Sequence, residues 1–595
     1  MAGGWSSFKQ AMLAETGRDF EKAAFPYLRM AWPDLAYPSD LGFFDKQGID
    51  QLVVIPGGIF PVVIQFKGFE IQSQLGKSQL DQIQKSVDSF IRSNLKTEQY
   101  ILFYNNSGED QLFYQNVGAI IETVVAAGAA TSATVWSVDD AKKFLAGKLD
   151  DRVRHALLGQ SAARKAEMAS PFSFGTLLVK DVPFRDAVWT FGRGMGADIS
   201  AYGSPRGNGL RELVVNSARK FRWTMIVGPF GIGKTTLART LGDDAGVPVL
   251  YVPAAQLGHM ETGGASEAKL WRQIAEYLGV LDAFEGLDGI DPDLAYALIT
   301  DSMGRLMRGG GPLILVIDGL DENRHYSTIN GLKLLVNELA NTTIDVVLTT
   351  RREHFYNAYG NYRADFAQLS SSNSTKSAQL IELGEWGVDL CSEFLERVAA
   401  TVVSEGRSGL LELQRRIARG ELPLLSTHPL WLMMAAELTL GARNVEFDAL
   451  FPLYEEWTAW KLERDFDVDR QLPDGLSTNL TELIEHMQAF MTAVAANMIE
   501  VSESGLTLRE EIAESLIIAL AEDIFPTRLD SQVYAVTSLL EMTAPRTLGG
   551  QKTFRFFHVS LHEFYLARWL RQGGAEQRAI MANCTLTSEL QRFID

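Results

Sequence analysis

The chain has 595 residues, of which 46% are hydrophobic and 22% charged, and its formal net charge is −19. That is ordinary globular composition, with room for roughly three to five domains, and it supplies no global basic field for nucleic acid. Two distant cysteines, Cys391 and Cys584, exclude a disulfide framework and a Cys-based zinc site. No window reaches the ~18 apolar residues of a membrane span, and the opening residues lack a basic leader before an apolar core. The expectation is a cytoplasmic protein with no membrane partner. The charge is uneven: residues 1–160 carry 15 Lys+Arg against 18 Asp+Glu, so the remaining chain holds −16 of the −19. Contact with nucleic acid is therefore least opposed at the N-terminal end.

In chain order, "GRDFEKAAFPYLRMAW" (17–32) spaces its apolar residues as a helix. The runs "QLVVI" and "FPVVIQF", joined by Pro56-Gly57-Gly58, predict a hairpin. A polar helix over about 77–95, a buried-type strand "YILFY" at 100–104, a strand "ATVWSV" and the helix "DDAKKFLAGKLDDRVRHALL" complete an α/β unit, 1–160. Residues 161–205, with "SPFSFGTLLVKD" and "GSPRGNG", read as a linker.

A second α/β unit, 206–365, contains the continuous apolar runs "WTMIVG", "VPVLYVP", "PLILVID" and "IDVVLTT". Strands apolar on both faces belong to a parallel sheet covered by helices. From about 365 the pattern is almost all helical, except for "KTFRFFHV" at 552–559, a single predicted strand.

"WTMIVGPFGIGKTTLARTL" sets Gly228, Gly231, Gly233, Lys234 and Thr235 between a strand and a helix, matching GxxxxGK[ST] in its required context. Glycines let backbone N–H groups curl around phosphate, and the helix N-terminus adds its positive end. Lys234 is expected to reach the β- and γ-phosphates and the Thr235 hydroxyl to bind Mg²⁺, with Thr236 next to it in the nucleotide site. In "LILVIDGLDEN" Asp318 ends an apolar run and is expected to hold the metal's water shell, while Asp321 or Glu322 polarises an attacking water. The next strand ends "VVLTTRRE", which puts Arg351 (or Arg352) beside the γ-phosphate to distinguish ATP from ADP.

"LILVIDGLDE" resembles the NACHT branch of the STAND NTPases. "LSTHPLWLMMAAEL" (425–438) is similar to the helical-domain motif of that family, whose proline, here Pro429, lies against adenine. "FRFFHVSLHEFYLARWL" (554–570) is similar to its winged-helix signature, whose histidine, here His558, contacts the β-phosphate of ADP at rest. The resemblance spans 206–570. It implies a helical domain at 366–500, a winged helix at 501–570 and, at 571–595, a terminal helix or the start of a sensor. It also implies a switch: ADP locks the winged helix onto the phosphate-loop domain, and exchange for ATP opens the chain to oligomerise.

Along "VVIQFKGFE" (62–70) strand alternation sends Val62, Ile64 and Phe66 to one face and Val63, Gln65 and Lys67 to the other. Gln65 and Lys67 are expected to emerge at the strand's end, opposite the apolar set, with Asp50 brought near by the preceding strand. An acid, an amide oxygen and a lysine suit phosphodiester cleavage: Asp50 and Gln65 ligate Mg²⁺, and Lys67 orients water or stabilises charge. The set resembles the Mrr-like branch of the PD-(D/E)xK nucleases, D…QxK, over roughly 17–105. That resemblance makes "GRDFEKAAF" the family's first helix, with Glu21 facing the metal.

The whole chain is thus similar to bacterial antiviral STAND proteins: a restriction-endonuclease-like α/β domain, a P-loop NTPase with a parallel sheet, a helical domain and a winged helix. The resemblance implies ATP/ADP and Mg²⁺ as cofactors and double-stranded DNA as substrate. It further implies a phage-protein trigger read by a sensor not present in this chain, and a homo-oligomer, a tetramer, when active. Two rivals remain open: an ATP-dependent restriction enzyme, and a STAND regulator whose N-terminal domain only binds DNA or a partner.

Overall fold

The computed structural model describes most of residues 4–167 and 222–594, together with Trp189, Thr190, Val214 and Ala218. Outside the description, besides shorter gaps, lie 37–50, 54–59, 258–266, 356–377, 468–479, 526–538 and 544–552. The protein is α/β with parallel sheets and many helices. It divides into two compact units, residues 1–162 with 266–311 and residues 163–265 with 312–595. Among the described residues no helix is long and apolar enough to cross a membrane.

The first unit is built on a five-stranded sheet in the order β1-β2-β3-β4-β5. Its strands are β1 (Leu35–Ala36), β2 (Gln51–Val53), β3 (Phe60–Lys67), β4 (Thr97–Tyr104) and β5 (Ala130–Trp136). The first three are antiparallel, whereas β3, β4 and β5 run parallel. The crossovers are α3 (Lys77–Arg92) and α4 (Gln111–Ala126). Both faces of β3 are covered. Val63 packs with Ile83 and Val87 of α3 and with Leu102 and Tyr104. Phe66 instead meets Phe20 of α2 (Gly17–Arg29), edge to face at 5.7 Å. The predicted hairpin, the helices and all these strands except the short β1 follow the apolar runs of the sequence.

Helix α1 (Gly4–Ala14) and α5 (Val138–Glu167) flank this sheet. Numbering along the chain, α6 (Lys234–Asp244) belongs to the second unit, while α7 (Glu267–Leu278) and α8 (Pro292–Gly309) return to the first. Asp150 of α5 takes a forked pair from Arg305 of α8, at 2.6 and 3.1 Å, and a bond from the Ser302 hydroxyl at 2.5 Å. Arg152 lies over the Phe284 ring at 4.7 Å. A fork between planar charged groups is geometrically specific, so it fixes α8 on α5 as well as attracting it.

The second unit holds a six-stranded sheet, β6-β11-β7-β10-β9-β8. Its strands are β6 (Trp189–Thr190), β7 (Trp223–Gly228), β8 (Val249–Pro253), β9 (Ile314–Asp318), β10 (Asp345–Arg351) and β11 (Ala378–Leu383). All but β6 are parallel. The wholly buried β7 and β9 explain why their sequences lack alternation.

The almost wholly helical reading after 365 is corrected here. Besides β11, the chain makes the hairpin β12 (Ile499–Ser502) and β13 (Gly505–Leu508). It also makes a three-stranded antiparallel sheet in which β16 (Thr553–Phe556) lies between β14 (Ile512–Ala513) and β15 (Leu540–Thr543). These pieces are two to six residues long, too short to carry a period. Helix α9 (Ile329–Leu339) lies between β9 and β10, and the described helices after 365 are α10 (Val388–Thr401), α11 (Gly406–Ala418), α12 (Pro429–Leu440), α13 (Leu450–Asp467), α14 (Leu480–Asn497), α15 (Glu514–Ile524), α16 (Val559–Arg571), α17 (Ala575–Asn583) and α18 (Ser588–Ile594). From α10 onward they pack with the sheet in one hydrophobic core, with Ile226, Val316 and Val347 in the same cluster as Trp457, Phe490 and Phe564.

Candidate functional site

The candidate nucleotide site is assembled by strand register. Parallel pairing sets Arg351 of β10 opposite Gly228 of β7, and Asp318 of β9 opposite Pro253 of β8. At the end of β7 the chain turns with positive φ at Gly231 (70°) and Gly233 (95°), a backbone that L side chains rarely adopt. A Cβ on Gly228 would stand 3.0 Å from both Ile232 and Leu383. The Lys234 ammonium donates to the Gly228 carbonyl at 3.0 Å. Burial draws its pKa down, against the pull of Asp321. Thr235 is exposed and Thr236 half-buried at the start of α6.

Asp318 accepts from the Thr349 hydroxyl at 2.5 Å and from the Tyr251 hydroxyl at 2.9 Å. Both of its oxygens are thereby aimed. Arg239 of α6 in turn approaches the Tyr251 hydroxyl at 3.4 Å. Gly319, left-handed at φ 74°, then turns the chain into the single turn Leu320–Glu322. Asp321 is held three times, by the Thr350 hydroxyl at 3.0 Å, the Arg351 amide at 2.9 Å and Arg351 Nε at 3.0 Å. Burial alone would raise its pKa, but Arg351 and Lys234 outweigh that and hold it below the ordinary range. Glu322 goes the other way: burial, then the Asp321 and Asp318 carboxylates, push it up to about 7.

Sequence reasoning left Arg351 and Arg352 as alternatives. Arg351 is the one turned into this cluster, whereas Arg352 donates to the Leu383 carbonyl at 3.1 Å. Pro429 begins α12, and the neighbouring Leu430 amide reaches the Gly231 carbonyl at 3.4 Å. His428, stacked on Trp431 at 3.9 Å, is lowered to about 4, by burial first and then by cationic neighbours that include Lys234. His558 caps α16: its Nδ1 accepts from the Ser560 amide at 3.2 Å and lies 2.7 Å from the Ser560 hydroxyl. The Tyr454 hydroxyl donates to that hydroxyl. Capping requires a lone pair on Nδ1, so the ring proton belongs on Nε2. Burial, then the charges of Arg351, Lys234 and Arg239, drive the His558 pKa down to about 3.

Tyr251, Thr349, His428 and Glu563 belong to this cluster and were missed in the sequence. Glu563, 1% exposed, approaches Arg351 at 3.6 Å. Its signal was legible in principle: a carboxylate amid the apolar "SLHEFYL" is rarely buried without a charged partner.

These residues fit a magnesium nucleotide. The glycine turn leaves backbone amides and Lys234 for phosphate, Thr235 and Asp318 offer the one or two protein oxygens that Mg²⁺ ordinarily takes, and no acidic cage is needed. Among the described residues no group of three or more His, Cys, Asp or Glu is arranged to hold a metal by itself.

In the first unit Gln65 and Lys67 lie near and at the C-terminal end of β3, in register with Leu102 and Tyr104. The expectation that both emerge into the open is corrected for Gln65, which is 3% exposed because α3 and α4 cover its face. Lys67 is half-buried. Asn105 locks this end: its side chain accepts from the Phe69 amide and donates to the Phe69 and Glu15 carbonyls, all at 2.8 Å. The Gly17 amide donates to the Gly68 carbonyl at 3.2 Å, fixing the start of α2, which carries the half-buried Glu21. Asp50 lies outside the described residues.

No family model and no curated protein matches this chain. Among solved structures it is similar to a Walker-type ATPase of Pyrococcus abyssi (13% identity, TM-score 0.27, 60% of this chain and 94% of that one). It is also similar to a STAND protein with a tetratricopeptide-repeat sensor from Pyrococcus horikoshii (14%, TM-score 0.30, 63% of this chain and 46% of that one). A third is the Orc1 protein of Aeropyrum pernix, solved with DNA (17%, TM-score 0.26, 60% and 90%).

Proposed function

We propose that the protein is an ATP-gated switch of the STAND type that controls an N-terminal Mg²⁺-dependent DNA endonuclease in antiphage defence, active as a homo-tetramer. One observation carries the switch. Residues from opposite ends of the second unit, Lys234, Asp318, Asp321 and Arg351 with Leu430, His558 and Glu563, meet at one phosphate-type cradle. A simple nucleotide-binding domain needs only the first four. Bound nucleotide supplies the triphosphate chain and its metal; the protein's own residues bind, orient and read it.

In this reading Lys234 and the glycine turn hold phosphate, and Thr235 and Asp318 hold Mg²⁺. Asp321 fixes Arg351, and Pro429 and His558 read the nucleotide from α12 and α16. Neutral His558 has a proton on Nε2 to donate to an anionic oxygen. Glu322 is the better proton acceptor, because a pKa near 7 suits a general base and Asp321 is committed to Arg351. At the other site Asp50, Gln65 and Glu21 would hold Mg²⁺ and Lys67 would stabilise the phosphate.

The test is plasmid cleavage with Mg²⁺, with and without ATP, and light scattering on the same samples. Cutting should need ATP and vanish in Lys67→Ala and Lys234→Ala, with only Lys234→Ala also failing to assemble. Cutting by Lys67→Ala at the wild-type rate would overturn the nuclease assignment. Burial of Gln65 favours a second reading, a regulator whose N-terminal unit only binds DNA or a partner. Inert plasmid in every nucleotide state, with DNA bound, would establish it. Steady DNA-stimulated ATP turnover would favour an ATP-dependent restriction enzyme.

A further inference from the structure

Arg351 is claimed from two sides. Asp321, three residues past the end of β9, holds its Nε at 3.0 Å, and Glu563 of α16 approaches its fork at 3.6 Å. Arg351 is 15% exposed at its side chain and Glu563 1%. The register that sets Arg351 opposite Gly228, whose carbonyl takes Lys234, puts this guanidinium where phosphate charge would arrive. We propose that Glu563 is the internal anion that competes with the third phosphate of a nucleoside triphosphate for Arg351. Occupancy by the triphosphate, and not by the diphosphate, thereby loosens α16 from the sheet.

The physical reason is the asymmetry of buried charge. A carboxylate sealed from water is tolerated while a cation faces it; drawing that cation toward another anion leaves the carboxylate costly where it is. The relief available is movement of Glu563, and Glu563 sits one turn into a helix whose first residue is capped by His558. Both contacts of α16 with the cradle then weaken together. The titratable groups facing Arg351 are Lys234, Asp321, Glu322 and His558, and the Tyr454 hydroxyl lies beside Glu563. A diphosphate brings one phosphoryl group fewer, so it competes less for the same fork. Glu563 is a positioning residue here: it acts through Arg351.

The inference rests on the nucleotide-switch reading, and the experiment separates the two. Fluorescent ADP and a non-hydrolysable ATP analogue are titrated into the full chain, as wild type, Glu563→Gln, Arg351→Gln and the double variant. Hydrogen exchange over residues 559–571 is followed on the same samples. Glu563→Gln should tighten the triphosphate about fivefold or more and change the diphosphate less than about twofold, and Arg351→Gln should cancel the difference. Exchange over 559–571 should rise with the triphosphate in wild type and be raised without nucleotide in Glu563→Gln. Equal changes for both nucleotides, or a gain that survives in the double variant, overturn the proposal alone. If Glu563→Gln does not fold, wild-type exchange decides, and identical protection with either nucleotide overturns it. Failure of wild type to bind either nucleotide overturns the site reading and this inference with it.

Discussion

Glu322 and Asp321 are adjacent carboxylates with opposite fates, because Arg351 pairs directly with Asp321 whereas burial and the neighbouring carboxylates dominate at Glu322. With Glu322 raised to about 7, hydrolysis that uses it as a base should rise with pH through about 7 and level off above, since the deprotonated form works. Glu322→Gln should flatten that profile and lower turnover by about 10²-fold while leaving nucleotide affinity nearly unchanged; single-turnover rates from pH 5.5 to 8.5 would check it. Tyr251→Phe removes one of the bonds aiming Asp318, so Mg²⁺ affinity measured by titration should weaken by a few-fold up to about tenfold. The glycines, Lys234 and Asp318 were legible because their spacing is local in sequence. Tyr251, Thr349 and Glu563 were not, because only sheet register and the packing of α16 bring them to the site.

Among the elements, β3 and β4 depend on their C-terminal ends being locked. A Cβ on Gly68 would lie 2.2 Å from the Gly17 amide nitrogen, with no flexible side chain to give way. Gly68→Ala should therefore destabilise the first unit by about 3 kcal/mol or more, read from urea unfolding. Gly118 is the control: it lies inside α4 with nothing within 4 Å of its added Cβ, so Gly118→Ala should stabilise by about 0.5–1 kcal/mol. The parallel strands β7, β8, β9 and β10 were legible because burial on both faces writes itself as an apolar run. Strand β11 was not: "AQLIEL" mixes Gln and Glu with its apolar residues, and only pairing with β7 identifies it.

Among the described residues, three histidines shielded from water, His428, His558 and His562, set the acid limit. His428 is lowered to about 4, His558 to about 3 and His562 to about 4, each chiefly by burial. Below about pH 6.5 the unfolded chain takes up protons that these native imidazoles refuse, so stability is full above that pH and lost as pH falls toward 4. At most, His428 and His562 each contribute on the order of 3 kcal/mol and His558 about 5 kcal/mol. Glu322 opposes them, since its native carboxyl gains a proton already near 7, but one group against three leaves the sign unchanged. Thermal unfolding should come several degrees lower at pH 5 than at pH 7.5, and His562→Phe should shallow that slope.

The return of α7 and α8 to the first unit also sets an order of events during synthesis. A chain growing from its N-terminus has made the glycine turn and Lys234 well before Arg305 exists to grip Asp150. The N-terminal unit thus cannot finish folding on the ribosome before the phosphate cradle's first strand and helix have emerged. Nascent chains stalled before residue 292 should leave the α5 surface protease-sensitive, and chains extended past 311 should not. Whatever the N-terminal unit does, it is completed only after the first strand and helix of the second unit have been made.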